Sequence, residues 1–222
     1  MSPIDEMKAQ VKRKIDEGFH CIKLKIGSND FRNEVSFIKT IRKEFGKKLE
    51  IRLDANGAFH PDEAPEKLKI LSEFNIHSIE QPIKQGQREK MAELSVNSPI
   101  PIALDEELIG VNSNGILKLL DDIKPAYIIL KPTLLGGMQV CQEWIENAEK
   151  NNIGWWVTSA LESNIGLSAI AQWVSQFKIK MYQGLGTGHL YKNNFPSPLF
   201  LRGENLYYDK KNNWDFSDLF SE

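Results

Sequence analysis

The chain has 222 residues, 41% hydrophobic and 26% charged, an ordinary globular balance with enough apolar material for one sizeable core. Its 28 basic and 30 acidic residues leave a net charge of −2, which excludes the basic footprint of a nucleic-acid or anionic-lipid binder. No apolar run approaches a membrane span, no leader architecture opens the chain, and Cys21 and Cys141 lie in apolar patterns without C-x-x-C spacing; a soluble cytoplasmic protein with reduced, buried thiols is expected.

In chain order, Met7, Val11 and Ile15 are four apart with Gly18 after them, which predicts an opening helix with a glycine stop. A strand-length run, Cys21–Ile26, follows. Phe31, Val35, Ile38, Ile41 and Phe45 then recur at helical steps. Leu49–Asp54 predicts the next strand. Pro61 suits the first turn of a helix continued by Ala64, Leu68, Leu71 and Phe74. Ile76–Glu80, Pro101–Asp105 and Ala126–Lys131 read as further strands, and Met138, Cys141, Ile145 and Ala148 as a helix. Trp155–Ser159 is a sixth strand. Ile165, Ala169, Trp173 and Phe177 predict another helix, and Lys180–Gly184 a seventh strand. Regular alternation of strand and helix means parallel β/α units in one domain spanning residues 1–222, with a polar tail over 210–222.

Polar residues close these strands. Lys25, Asp54, Glu80, Asp105 and Lys131 lie 25 to 29 residues apart, close to the ~31 residues per unit of an eight-unit barrel. A constant period places all five at one rim, where such barrels carry their chemistry. Any one acid alone reads as a solvated strand-end residue. Three carboxylates converging without histidine or cysteine repel one another unless a hard cation sits among them, and oxygen donors suit Mg²⁺. Lys23 and Lys25 alternate with Leu24 and so share the inner face. Lys131 is placed across the mouth from Lys25. A lysine near a divalent ion in a partly dry site can give up its proton and act as a base. The glycines of Gly184-Leu185-Gly186-Thr187-Gly188 would let backbone N–H groups approach a substrate carboxylate, or else make a tight closing turn.

Lys-x-Lys, Asp-Ala-Asn, Glu-Gln-Pro, Leu-Asp-Glu and Leu-Lys-Pro, from Phe19 to about Trp214, resemble the enolase superfamily in its muconate-lactonizing-enzyme-like branch. Thr158-Ser159-Ala160 stands where the histidine-base branches would carry their base. Ser159-Ala160-Leu161-Glu162-Ser163, the glycine-rich stretch and Asn193-Asn194-Phe195-Pro196-Ser197-Pro198 resemble the o-succinylbenzoate synthase family. The resemblance implies a TIM-like (β/α)7β barrel lacking its first strand and its N-terminal capping domain, either of which a trimmed chain, a split or mis-started gene, or a partner chain would explain. It implies a hydro-lyase of menaquinone biosynthesis that converts 2-succinyl-6-hydroxy-2,4-cyclohexadiene-1-carboxylate to 2-succinylbenzoate and water. Mg²⁺ (with Mn²⁺ as a substitute) would lie on Asp54, Glu80 and Asp105 and stabilise the enediolate. Lys25 is the implied base and Lys131 the group stabilising charge from the opposite face. Lys23, Asn56, Ser159, Gly186 and Thr187 are candidate substrate contacts, and Glu106 a partner that orients a lysine. The alternatives are an N-acylamino acid racemase or dipeptide epimerase using the same two lysines, and an inactive fragment or non-catalytic subunit. Low activity is expected of the chain alone.

Overall fold

The computed structural model describes residues 4–187 and 191–217. Helix α1, Ile4–Asp16, leads into six strands: β1 Cys21–Lys25, β2 Glu50–Asp54, β3 Ser78–Glu80, β4 Ile102–Leu104, β5 Tyr127–Leu130 and β6 Gly154–Val157. The helices α2 Phe31–Phe45, α3 Ala64–Ser72, α4 Arg88–Asn97, α5 Ser113–Ile123 and α6 Met138–Lys150 connect them, and α7, Asn164–Val174, follows β6. The strands pair in chain order, all parallel, as β1-β2-β3-β4-β5-β6. Parallel strands must be joined by crossovers, and the helices supply them.

Local chemistry sets the helix ends. The Asp30 side chain accepts from the amides of Arg32 and Asn33 and so starts α2. The Asn112 side chain does the same for Gly115 in α5, and Lys124 ends that helix in the left-handed region. Glu34 is buried in the first turn of α2, where its carboxylate takes the N–H groups of Gly27, Ser28 and Asn29. This fastens the loop after β1.

Helices and sheet enclose the main core, which includes Ile38, Ile51, Leu53, Leu68, Ile79, Leu104, Ile128 and Trp144. The opposite, inner face of the sheet holds a small second core of Ala103, Ile129 and Trp156, with Tyr127 and Met181 packed against it. His77 stacks on Tyr127 with ring centroids 4.9 Å apart, and the Arg52 guanidinium lies 4.1 Å from the Trp156 ring centre.

The structure corrects three sequence expectations. The seventh strand is a single parallel bridge between Thr158 and Gly184. Two side chains prevent a ladder there: the Gln183 amide oxygen accepts from Val157 N at 2.8 Å, and Arg52 Nη1 donates to the Tyr182 carbonyl at 3.0 Å. The groups that would extend the ladder are therefore occupied. Gly184 itself lies so close to β6 that a Cβ would stand 2.4 Å from Thr158 Oγ1. Secondly, Pro61 falls before α3, and Pro65 takes the first-turn position. Thirdly, α7 buries Leu167, Ile170, Trp173 and Val174, while Ile165 and Ala169 face outward and Phe177 lies past its end.

A hairpin that the sequence reading missed, β7 Leu199–Arg202 with β8 Asn205–Tyr208, follows. Two apolar runs separated by Gly203-Glu204 were its signal. Glu204 at the turn accepts from His20 N at 3.3 Å and lies 2.8 Å from His20 Nδ1, docking the hairpin at the start of β1. In the expected tail, residues up to 217 fold back, with Asp215 N donating to the Pro196 carbonyl at 3.3 Å. Both cysteines are free.

Candidate active site

The strand register explains how the polar residues meet. Lys25 pairs with Asp54, and Asp54 with Glu80, so three charged residues stand level at the carboxyl ends of β1, β2 and β3. Glu80 pairs with Ala103, two residues before Asp105, and Ala103 pairs with Tyr127, four before Lys131. This stagger is that of tilted barrel strands, and each step of two keeps the side chain on the same face.

The side chains form one connected chain. Lys23 Nζ donates to Asp54 Oδ2 at 2.9 Å and to both Glu80 oxygens at 3.3 Å. Lys25 Nζ donates to Asp54 Oδ2 at 3.3 Å and to the Asn56 side-chain oxygen. Asn56 Nδ2 donates to Glu106 Oε1 at 2.8 Å. Lys131 donates to Asp105 at the other end of the row. Asp54, Glu80 and Asp105 are each buried to 2% exposure or less.

Burial therefore dominates the electrostatics. It pushes the Glu80 carboxyl well above its ordinary range; Lys23 opposes this, while the charges of Asp54 and Asp105 add to it. Burial also works against ionised Asp54, but Lys23 and Lys25 outweigh it and hold that carboxyl below the usual range. The Lys23 ammonium, disfavoured by burial, is held above the ordinary lysine range by Glu80 and Asp54.

The backbone at this rim is strained. Asn56 has φ +43° and Gln81 φ +41°, the left-handed region that non-glycine residues rarely adopt. Gln81 is buried and spans two loops. Its side-chain oxygen accepts from Asp105 N at 3.3 Å and Glu107 N at 3.2 Å, and its nitrogen donates to Ile83 O and to Glu107 Oε2. Sequence reasoning passed over it within Glu-Gln-Pro, although a polar residue directly after a strand-end acid was visible.

A cavity of about 910 Å³ opens beside this network. Lys23, Lys25, Arg52, Thr158, Gly186 and Thr187 are among its walls. Gly186 and Thr187 are thus brought to the same space as the two lysines. Gly188 and His189 of the same stretch lie outside the described residues. Ser159 is turned elsewhere: its hydroxyl donates to Glu162 Oε2 at 2.7 Å and accepts from Leu161 N at 2.8 Å.

The donor set fits Mg²⁺ in chemistry: three carboxylates and no softer ligand. The buried acids need a cation among them, and the Lys23 ammonium supplies that charge between Asp54 and Glu80. Glu106 Oε2 is buried with no partner among the described residues, a free acceptor beside the network. As they stand, no three acidic, histidine or cysteine side chains among the described residues are grouped to hold an ion. Lys23 would have to release its two acids for an ion to take its place.

Residues 6–208 match the family model described as "Enolase C-terminal domain-like". The chain belongs to this family. The o-succinylbenzoate synthase of Desulfotalea psychrophila is 55% identical over 198 residues, covering 89% of this chain and 54% of that protein. The crystal structure of MenC from the same organism superposes with a TM-score of 0.87 at 53% identity, covering 93% of this chain and 57% of the other. The L-Ala-D/L-Glu epimerase of Bacillus subtilis is 24% identical over 89% of this chain and 51% of its own length. Muconate cycloisomerase from Pseudomonas fluorescens, at 24% identity and TM-score 0.88, shares the fold. The chain spans about half the length of the curated relatives it matches. The parallel sheet is accordingly the curled six-stranded part of an enolase-type barrel. No helix among the described residues is long and apolar enough to cross a membrane.

Proposed function

We propose that this chain carries the catalytic rim of an o-succinylbenzoate synthase, a hydro-lyase acting on a small carboxylate substrate in the cytoplasm. The reading rests on one feature above all: an amine at each end of a buried acid row, Lys25 on Asp54 and Lys131 on Asp105. The 55% identity to the Desulfotalea psychrophila synthase supports the choice of reaction within the family.

Asp54, Glu80 and Asp105 would hold Mg²⁺, which when bound supplies positive charge against the substrate carboxylate. Lys25, as the free amine, takes the proton α to that carboxylate, and the electron pair is delocalised into the carboxylate as an enediolate. The same nitrogen, now an ammonium, gives that proton to the departing hydroxyl as the ring C–O bond breaks. The products are water and the aromatic ring. Lys131 stabilises the negative charge from the other face. Asn56 accepts from Lys25 and is itself held by Glu106, so the pair aims the base. Gly186 and Thr187 bound the space where the rest of the substrate lies.

The test is an ultraviolet assay for the aromatic product, run with the chain alone and with the N-terminal portion of its Desulfotalea psychrophila relative added in trans. We expect low turnover alone and a gain on addition. Lys25→Ala should abolish turnover while Mg²⁺ binding, followed by titration calorimetry, persists; near-normal turnover removes Lys25 from the base role. The same amines on two faces of an α-carbon would also serve an epimerase, the activity named for the Bacillus subtilis relative. Deuterium wash-in from solvent into N-succinyl amino acids, without aromatic product, would favour that reading.

A further inference from the structure

We propose that Glu162 is a positioning residue that ties the loop after β5, which follows Lys131, to the loop after β6, and that Ser159 serves this tie and does not donate to substrate. The consequence for turnover rests on the proposed function; the tie itself does not.

Four donors meet this one carboxylate. The Thr133 hydroxyl, two residues after Lys131, donates to Glu162 Oε1. The Ser159 hydroxyl and the Ala160 amide donate to Oε2 at 2.7 and 2.9 Å. The amide of Glu162 itself also points to the group. Burial disfavours the ionised carboxyl, but these donors together outweigh it and hold it below the usual glutamate range. An ionised acceptor makes the stronger, shorter bonds seen here.

Counting hydrogens settles what Ser159 can do. A hydroxyl has one proton, and Ser159 donates its own to Glu162. The Ser159 oxygen already accepts from Leu161 N at 2.8 Å. That bond helps hold Leu161 at φ +70°, and the Leu161 carbonyl accepts from Tyr191 Oη at 2.7 Å. Ser159 therefore has no proton left to give to a substrate, and a negative charge stands against it. A substrate carboxylate brought to this place would meet repulsion. The loop beyond β6 is instead held together by its own hydrogen bonds, and Thr133 ties the loop after Lys131 to it.

The variants are Glu162→Gln, Thr133→Val and Ser159→Ala, each read by amide hydrogen exchange and by steady-state kinetics. Glu162→Gln should speed exchange in both 131–135 and 159–163 by roughly tenfold or more, with the exchange of β2 and β3 unchanged. Thr133→Val should loosen 159–163, although it alters the other loop. For turnover, Glu162→Gln and Ser159→Ala should lower kcat by about 10- to 100-fold with KM within about threefold, as expected when a catalytic group is misplaced. Two results would overturn the proposal: exchange confined to 131–135 in Thr133→Val, or a Ser159→Ala variant that raises KM more than about tenfold at unchanged kcat. If the unmodified chain makes no aromatic product under any condition, the proposed reaction fails, and the exchange measurements still decide the tie.

Discussion

Replacing Gln81 by alanine tests whether the acid row is held from behind. The side chain is 1% exposed and bridges the end of β3 to the loop that carries Asp105. Alanine would strand two amides, those of Asp105 and Glu107, together with the Ile83 carbonyl, while the Glu107 oxygen keeps the Gly86 amide at 3.1 Å. The bonds measure 3.1 to 3.3 Å. Their length argues for the low end of the cost of an unsatisfied buried group, ~1 kcal/mol for each of the three groups and about 3 kcal/mol in all. Alanine at φ +41° gains nothing from relief of strain. For a domain of this size the loss corresponds to roughly 6–12 °C in Tm. Scanning calorimetry measures that directly, and Mg²⁺ titration should show about tenfold weaker binding as Asp105 loses its anchor. Gln81→Glu should be no better, because it sets a carboxylate against Glu107. A Tm loss below about 2 °C for Gln81→Ala would refute the reasoning, since the network would then carry almost no energy.

Trp144 is fully buried and its Nε1 has no partner among the described residues. Urea unfolding should show ~3–5 kcal/mol lost in Trp144→Ala but under about 1.5 kcal/mol in Trp144→Phe, which also removes the stranded donor. His77 is held below its ordinary pKa of 6.5, chiefly by burial, with Arg52 acting the same way and Glu50 opposing. Below pH 6.5 the unfolded chain gains a proton that the folded one resists, so this contribution is present above that pH and is lost as pH falls. Unfolding free energy should accordingly drop less steeply with acidification in His77→Phe than in the unmodified protein. Gly184→Ala would force a Cβ to 2.4 Å from Thr158 Oγ1, so the backbone bridge from Gly184 to the end of β6 should open, seen as faster exchange at the Gly184 and Ser159 amides.

The sequence by itself determined the alternation of strands and helices, the family, and the row Lys25, Asp54, Glu80, Asp105 and Lys131. These were legible because a β/α unit repeats at nearly constant length and a strand alternates its faces, so spacing alone predicts which residues share a rim. Helix α7 shows where that logic stops. It is apolar on most sides, so Ile165-Ala169-Trp173 and Leu167-Ile170-Trp173-Val174 are equally good stripes, and only packing against the sheet buried the second. The reduction of the predicted seventh strand to one bridge, the brace at Glu162 and the Gln81 bridge were invisible for a related reason. Each depends on one side chain reaching a backbone group or a hydroxyl far along the chain: Arg52 to Tyr182, Glu162 to Thr133, Gln81 to Asp105. Periodicity records which face a residue is on. Which of two competing donors reaches a given acceptor is settled only when tertiary packing fixes their distance.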